Sequence, residues 1–274
     1  MNAAAIPRLE HTGRVTQVRV AVSEWTKLRS VRSTRWSLFA GTLLTIGFPL
    51  LFATITSSRW PHMNAHERAD RLSHPLEVAL AGVNVSQLAL GVLGVLVITA
   101  EYSTGMIRAS FTAVPKRLPV LWAKAGVFAG VSFALMLPSV VIAFFASRAI
   151  LASDHIGQLS FWHAGVARTV VGGAVYLTLI GVFALGLGAI VRNTAGGIAT
   201  FAAIMFVIPP LMNILPSSWN NAISPYLPSN AARAIFQFTH GSDSLAPGTG
   251  LLLFCGYLAL TIAIAAVLLV RRDT

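Results

Sequence analysis

Residues 78–100 read VALAGVNVSQLALGVLGVLVITA, 23 consecutive residues without a charge, and the next residue is Glu101. A helix rises 1.5 Å per residue and the hydrocarbon core of a bilayer is about 30 Å thick, so a run of this length spans it. Its apolar residues neither alternate with the period of a strand nor leave room for a charged helix face. Five further runs of the same kind follow from the sequence, at 36–56, 120–146, 170–191, 197–215 and 251–270. They predict an all-α polytopic membrane protein of six spans. The fifth run is the most irregular: Pro209 and Pro210 interrupt it and Pro216 follows, which predicts a kinked span or one followed by a re-entrant segment.

Composition agrees. Of 274 residues 55% are hydrophobic and only 11% charged, too few to coat a soluble domain. The net charge of +11 raises a nucleic-acid reading, which position argues against. The basic residues flank apolar runs, where an anionic leaflet attracts them. With both termini cytoplasmic, 14 of the 20 lysines and arginines fall inside, among them Arg19, Lys27, Arg29, Arg108, Lys116, Arg117, Lys124 and Arg192. The other six, Arg59, Arg68, Arg71, Arg148, Arg168 and Arg233, fall outside. The predicted organisation is a cytoplasmic or interfacial segment over 1–35 and one six-helix domain over 36–274, in a bacterial inner membrane. No cleavable signal peptide is expected, and the lone Cys255 cannot form an intramolecular disulfide.

Ahead of the first span, Val15, Val18, Val22, Trp25, Leu28 and Val31 recur at helical spacing, with Arg19, Lys27 and Arg29 around them. This predicts an amphipathic helix lying in the membrane interface. Residues 216–248 mix Tyr226, Leu227, Ala231, Ala232, Ile235, Phe236 and Phe238 with polar residues, which suits short helices dipping into the outer leaflet. In the second span, Asn84, Ser86 and Gln87 are polar at membrane depth. Interhelical hydrogen bonds are the simpler reading and a substrate path the other. Lys124 is expected to snorkel from the inner end of the third span. Gly126 and Gly130, and Gly181, Ala184, Gly186 and Gly188, are spaced for close helix packing, within the subunit in the first place and at a dimer seam as the alternative. His62, His66, Asp70 and His74 recur every four residues, a spacing that would offer a metal one helix face. The polar surroundings and the bracketing Pro61 and Pro75 favour an incidental pattern, so no metal is expected.

A phosphate-binding loop of the Walker type needs a lysine directly after glycine. The three lysines follow Thr26, Pro115 and Ala123, so the chain lacks that loop. After the second span comes EYSTGMIRASFTAVPKRLP, residues 101–119. An acidic residue at the inner end of a span runs against the positive bias there. Gly105 suits a turn, and 106–113 a short helix that Pro115 terminates.

The order Glu101-x-x-x-Gly105-x-x-Arg108, then Pro115-Lys116-Arg117 and Lys124, resembles ABC transporter permeases of the type-2 export superfamily, bacterial six-span half-transporters. The opening Ser23-Glu24-Trp25-Thr26-Lys27-Leu28-Arg29-Ser30 is similar to the start of many members. The resemblance implies a permease that pairs with a second permease subunit, the same or homologous, and with two copies of a separate ABC ATP-binding subunit. ATP and magnesium would sit on that partner, with no cofactor on this chain. It further implies that Glu101, Gly105, Arg108, Pro115 and Arg117 belong to a segment coupling to the ATPase, with Glu24, Trp25 and Lys27 giving a second contact. Met106 and Ile107 depart from the family pattern, where many relatives carry Thr and an acidic residue.

The leading expectation is therefore a non-enzymatic permease moving a small or hydrophobic substrate outward. A membrane-embedded enzyme would need convergent acids or metal ligands at depth, and no span interior contains Asp, Glu or His. The alternative is a non-transporting scaffold or sensor subunit.

Overall fold

A computed structural model describes residues 16–74, 76–105, 118–153, 156, 160–238 and 244–272. Among these the regular elements are all helical. An entry helix α1 (Gln17–Ser30) leads to α2 (Arg32–Arg59), the short α3 (Ala65–Ser73), α4 (Glu77–Ser103), α5 (Leu118–Ser153) and α6 (Val166–Val191). Then come α7 (Thr194–Ala202), α8 (Ile208–Leu211), α9 (Ser217–Ile223), α10 (Pro228–Ala234) and α11 (Pro247–Arg272). Six helical stretches are long and apolar enough to cross a membrane, and they coincide with the six sequence runs.

The bundle is built around α6, which packs on α4, α5 and α11. Lacking side-chain bulk along much of its length, it lets neighbours close in. A Cβ on Gly94 of α4 would stand 2.1 Å from the Gly181 carbonyl oxygen of α6, so only glycine permits this approach. Between α2 and α4 the contact has a different origin. Pro49 removes the amide that would bond the Thr45 carbonyl, and that carbonyl lies against Gly82 instead. The same level carries a hydroxyl cluster in which Thr45 Oγ1 reaches Ser86 Oγ at 2.8 Å and Ser86 donates to the Gly41 carbonyl at 3.1 Å.

The fifth span is bent where its prolines require. Neither Pro209 nor Pro210 can donate to the turn below, and a wider π-turn over Ala203–Val207 absorbs the mismatch before α8 and a 3-10 turn, Met212–Ile214. The following segment forms the short helices α9 and α10, and α10 packs on α11, the π-turn and α6. In the first loop, Asn64 and Glu67 form a reciprocal capping box that starts α3. That helix carries His66 and Asp70 and ends at His74, with His62 on the preceding turn. Among the described residues no three His, Cys, Asp or Glu side chains converge on a metal position, this quartet included.

One packing expectation needs correction. Gly126 and Gly130 have open space around them rather than a neighbouring helix, whereas Gly181, Gly186 and Gly188 do take close contacts. In the entry helix and its cap, Val18, Val22, Trp25 and Val31 are exposed on one stripe, and of the residues expected with them Leu28 is instead buried with Val20 and Glu24 on the opposite stripe. Spacing of four residues places Val20, Glu24 and Leu28 in one line. That line faces α5, because it meets the buried Val120, Leu121 and Ala123. Val15 lies outside the described residues.

Candidate functional site: a closed ring of buried charges

At one end of the bundle, α1, α4 and α5 meet through four ionisable side chains. Glu24 and Lys27 lie one turn apart on α1, Glu101 sits in the last turn of α4, and Lys124 in the second turn of α5. Lys27 Nζ stands 2.6 Å from Glu24 Oε1 and 3.1 Å from Glu101 Oε1. Lys124 Nζ stands 2.6 Å from Glu24 Oε2 and 2.8 Å from Glu101 Oε1. Charges therefore alternate around a closed ring, Lys27–Glu24–Lys124–Glu101, with no net charge. The Lys124 side chain is only 4% exposed, and those of Glu24 and Glu101 3% and 8%. Lys27 is the member nearest solvent. Burial alone would push its ammonium pKa down, but the hydrogen bond with Glu24 and the charges of Glu101 and Glu24 outweigh that and raise it.

Removing such ions from water costs several kcal/mol each, recovered only when the partners are well placed. Here Glu24 is bonded through both oxygens and Lys124 reaches two carboxylates. Glu101 Oε1 takes both lysines, and among the described residues nothing donates to Glu101 Oε2, which is buried. The expectation that Lys124 snorkels to solvent is corrected by its burial. Carboxylates from α1 and α4 replace the water a snorkelling ammonium would need.

A second set of contacts ties the remaining helices at the same end. Arg192, left-handed at φ 58, terminates α6 and lies 5.1 Å over the Tyr102 ring of α4. Its Nη2 donates to the Leu268 carbonyl of α11 at 3.1 Å. Thr194 Oγ1 donates to Thr99 Oγ1 at 2.9 Å, joining the start of α7 to α4. Gln17 Nε2 donates to the Pro119 carbonyl at 3.2 Å, joining α1 to α5 a second time.

Of the residues singled out from the sequence, Glu24, Lys27 and Glu101 are thus brought together, facing one another rather than outward. Trp25 is 48% exposed on the far side of α1. Gly105 takes φ 71, closing the turn that ends α4, with its amide donating to the Tyr102 carbonyl at 3.3 Å. Arg108, Pro115 and Arg117, and the short helix expected over 106–113, lie outside the described residues. The polar residues of the second span part company. Ser86 and Gln87 are buried in helix–helix contacts, Gln87 accepting from the Tyr176 hydroxyl of α6, while Asn84 is exposed.

Lys124 as a ring member, Arg192 and Tyr176 escaped the sequence reading. A lone lysine early in one apolar run and a lone glutamate ending the run before it are complementary in sign, and that was the available signal for Lys124. No protein-family model matches the chain, and no curated protein matches it at a significant level. What the fold establishes is a multi-pass membrane protein whose helices are locked at one end by buried charge.

Proposed function

We propose that this chain is the permease subunit of an ATP-driven exporter of the type-2 kind, with the charge ring on the cytoplasmic side of a bacterial inner membrane. In this reading it pairs with a second permease subunit, and two separate ATP-binding subunits supply ATP and magnesium. The observation that carries the reading is the ring's position. Segment 106–117 leaves α4 just after Glu101 and enters α5 just before Lys124, so both of its roots are held by the same four charges.

A force applied to that segment by a partner reaches α4 and α5 together and, through Glu24 and Lys27, the entry helix. The entry helix runs into α2 through Val31, whose extended backbone (φ −74, ψ 118) makes the corner between them. Glu24, Lys27 and Glu101 then act as positioning residues that make three helices respond as one body. Trp25, exposed on the far side of α1, is left for direct contact with a partner, and the resemblance gives the same role to Arg108, Pro115 and Arg117.

The test is purification of the tagged chain from native membranes in mild detergent, with ATPase assay of the eluate. The expected result is co-elution of a distinct ATP-binding subunit, with association weakened in Arg108→Ala and ATP hydrolysis uncoupled in Glu101→Ala. An intact chain that brings down no ATPase at any detergent strength overturns the proposal.

A further inference from the structure

The charge ring and the contact with α5 use only one side of the entry helix, the line of Val20, Glu24 and Leu28. At about 100° per residue, the rest of α1 divides into two further sectors. Val18 and Val22 stand about 120° and 160° round from Glu24 and are 72% and 58% exposed. Trp25, left for a partner subunit, borders them at about 100°, on the side nearer the bundle. Arg19, Ser23, Thr26 and Ser30 fill the arc from about 200° to 260°, and all four are exposed. One helix thus carries a protein-facing stripe, a second apolar stripe left open, and a polar arc.

The charge around the open stripe is of one sign. Arg19 and Arg29 on α1, and Arg32 and Arg35 in the first turn of α2, are all exposed. Arg29 stands at about 140°, between Val18 and Val22, so a cation projects from the apolar stripe itself. Among the described residues no carboxylate lies in ion-pair distance of any of these four arginines. Glu24 and Glu101, the carboxylates at this end, are taken up by Lys27 and Lys124. The apolar surface continues past the corner, where Val31 and then Trp36, Phe39 and Leu43 of the first span are exposed.

Beside the end of a span, the headgroup layer is where valine and arginine both find partners, acyl chains for one and phosphates for the other. A neutral surface would cover Val18 and Val22 but leave four cations unmatched, so charge complementarity selects an anionic one. We infer that the open stripe of α1 and the α1–α2 corner form a docking surface for anionic phospholipid headgroups. The same helix carries Glu24 and Lys27, so lipid held there also holds two of the four ring charges against Glu101 and Lys124. This surface goes beyond the transport proposal. The two fail separately, because lipid contact is measured with no ATPase present.

The experiment uses the full-length protein with Cys255→Ser and one spin label, placed on Val18→Cys, Val22→Cys, Ser23→Cys or Ser30→Cys. In vesicles of phosphatidylcholine and phosphatidylglycerol, the labels at 18 and 22 are expected to be relaxed by oxygen, which concentrates in lipid. Those at 23 and 30 are expected to be relaxed by a water-soluble nickel chelate. Nickel access at 18 and 22 equal to that at 23 and 30 overturns the inference. Protection of 18 and 22 from both reagents reveals a protein contact instead and also overturns it. The charge match is read from the Val22→Cys label in neutral detergent, titrated with dihexanoyl phosphatidylglycerol or dihexanoyl phosphatidylcholine. The anionic lipid is expected to immobilise the label at the lower concentration. Arg29→Gln should raise that midpoint about 5-fold, the contribution of one arginine near an anionic surface. Arg29→Lys, which keeps the charge, should keep the midpoint, and so should Arg59→Gln at the other end of the bundle. Equal midpoints for the two lipids, or an equal shift in Arg59→Gln and Arg29→Gln, overturns the inference.

Discussion

Replacing Lys124 by methionine is the most informative single perturbation of this protein. Methionine keeps the length and the apolar stem of this buried side chain, so packing around it changes little. What disappears is the ammonium that lies 2.6 Å from Glu24 and 2.8 Å from Glu101. Two buried carboxylates then share only Lys27, the most exposed member, and the ring carries a net negative charge. Breaking a buried pair from one side costs about 3–5 kcal/mol, most of it the penalty of the abandoned charge. For a chain of this size that corresponds to a fall in Tm on the order of 6–20 °C.

The assay is thermal unfolding of detergent-purified protein followed by size-exclusion recovery. The decisive comparison adds Glu101→Gln to Lys124→Met. Removing the second charge restores neutrality between Glu24 and Lys27, so the double variant should be more stable than the sum of the two single losses by about 1–3 kcal/mol. A Lys124→Met variant within about 1 kcal/mol of wild type, or strictly additive losses, would refute the view that the ring is a coupled unit.

Lys27 gives the ring a pH signature. Its pKa is raised above 10.5 in the folded chain, so its stabilisation is fully present below that pH and is lost as pH rises through the raised value. The Tm difference between wild type and Lys27→Met should therefore hold constant from about pH 8 to 10 and shrink above about pH 10.5; a difference that already shrinks below about pH 9 would contradict the assignment. On the packing side, Gly94→Ala places a methyl 2.1 Å from the Gly181 carbonyl oxygen, where backbone must move to admit it. Overpacking at such a site costs about 1–3 kcal/mol and should appear as lower yield and Tm, whereas Gly126→Ala, in open space, should be neutral.

The sequence by itself determined the all-helical class, the six spans and the irregular fifth. Each follows from local quantities: the length of a charge-free run against bilayer thickness, and the missing amides of Pro209 and Pro210. It also determined which residues carry charge at the span ends, and named Glu24, Lys27 and Glu101 as the ones to watch. Which way those charges face was decided only by tertiary structure. Glu24 and Lys124 are 100 positions apart, and the spacing of neither says that α1 folds back against α5. The apolar pattern of α1 was ambiguous for the same reason. Its exposed Val18, Val22 and Trp25 and its buried Val20, Glu24 and Leu28 are two stripes of one helix, and in a membrane an apolar stripe has two possible environments, lipid or protein. Hydropathy does not separate them, because a lipid tail is as apolar as a leucine. Residues 216–248 show the limit from the other side. Their mixed composition suited short helices dipping into the outer leaflet, and only the approach of α10 to Gly172 and Gly250 decided that they pack against α6 and α11.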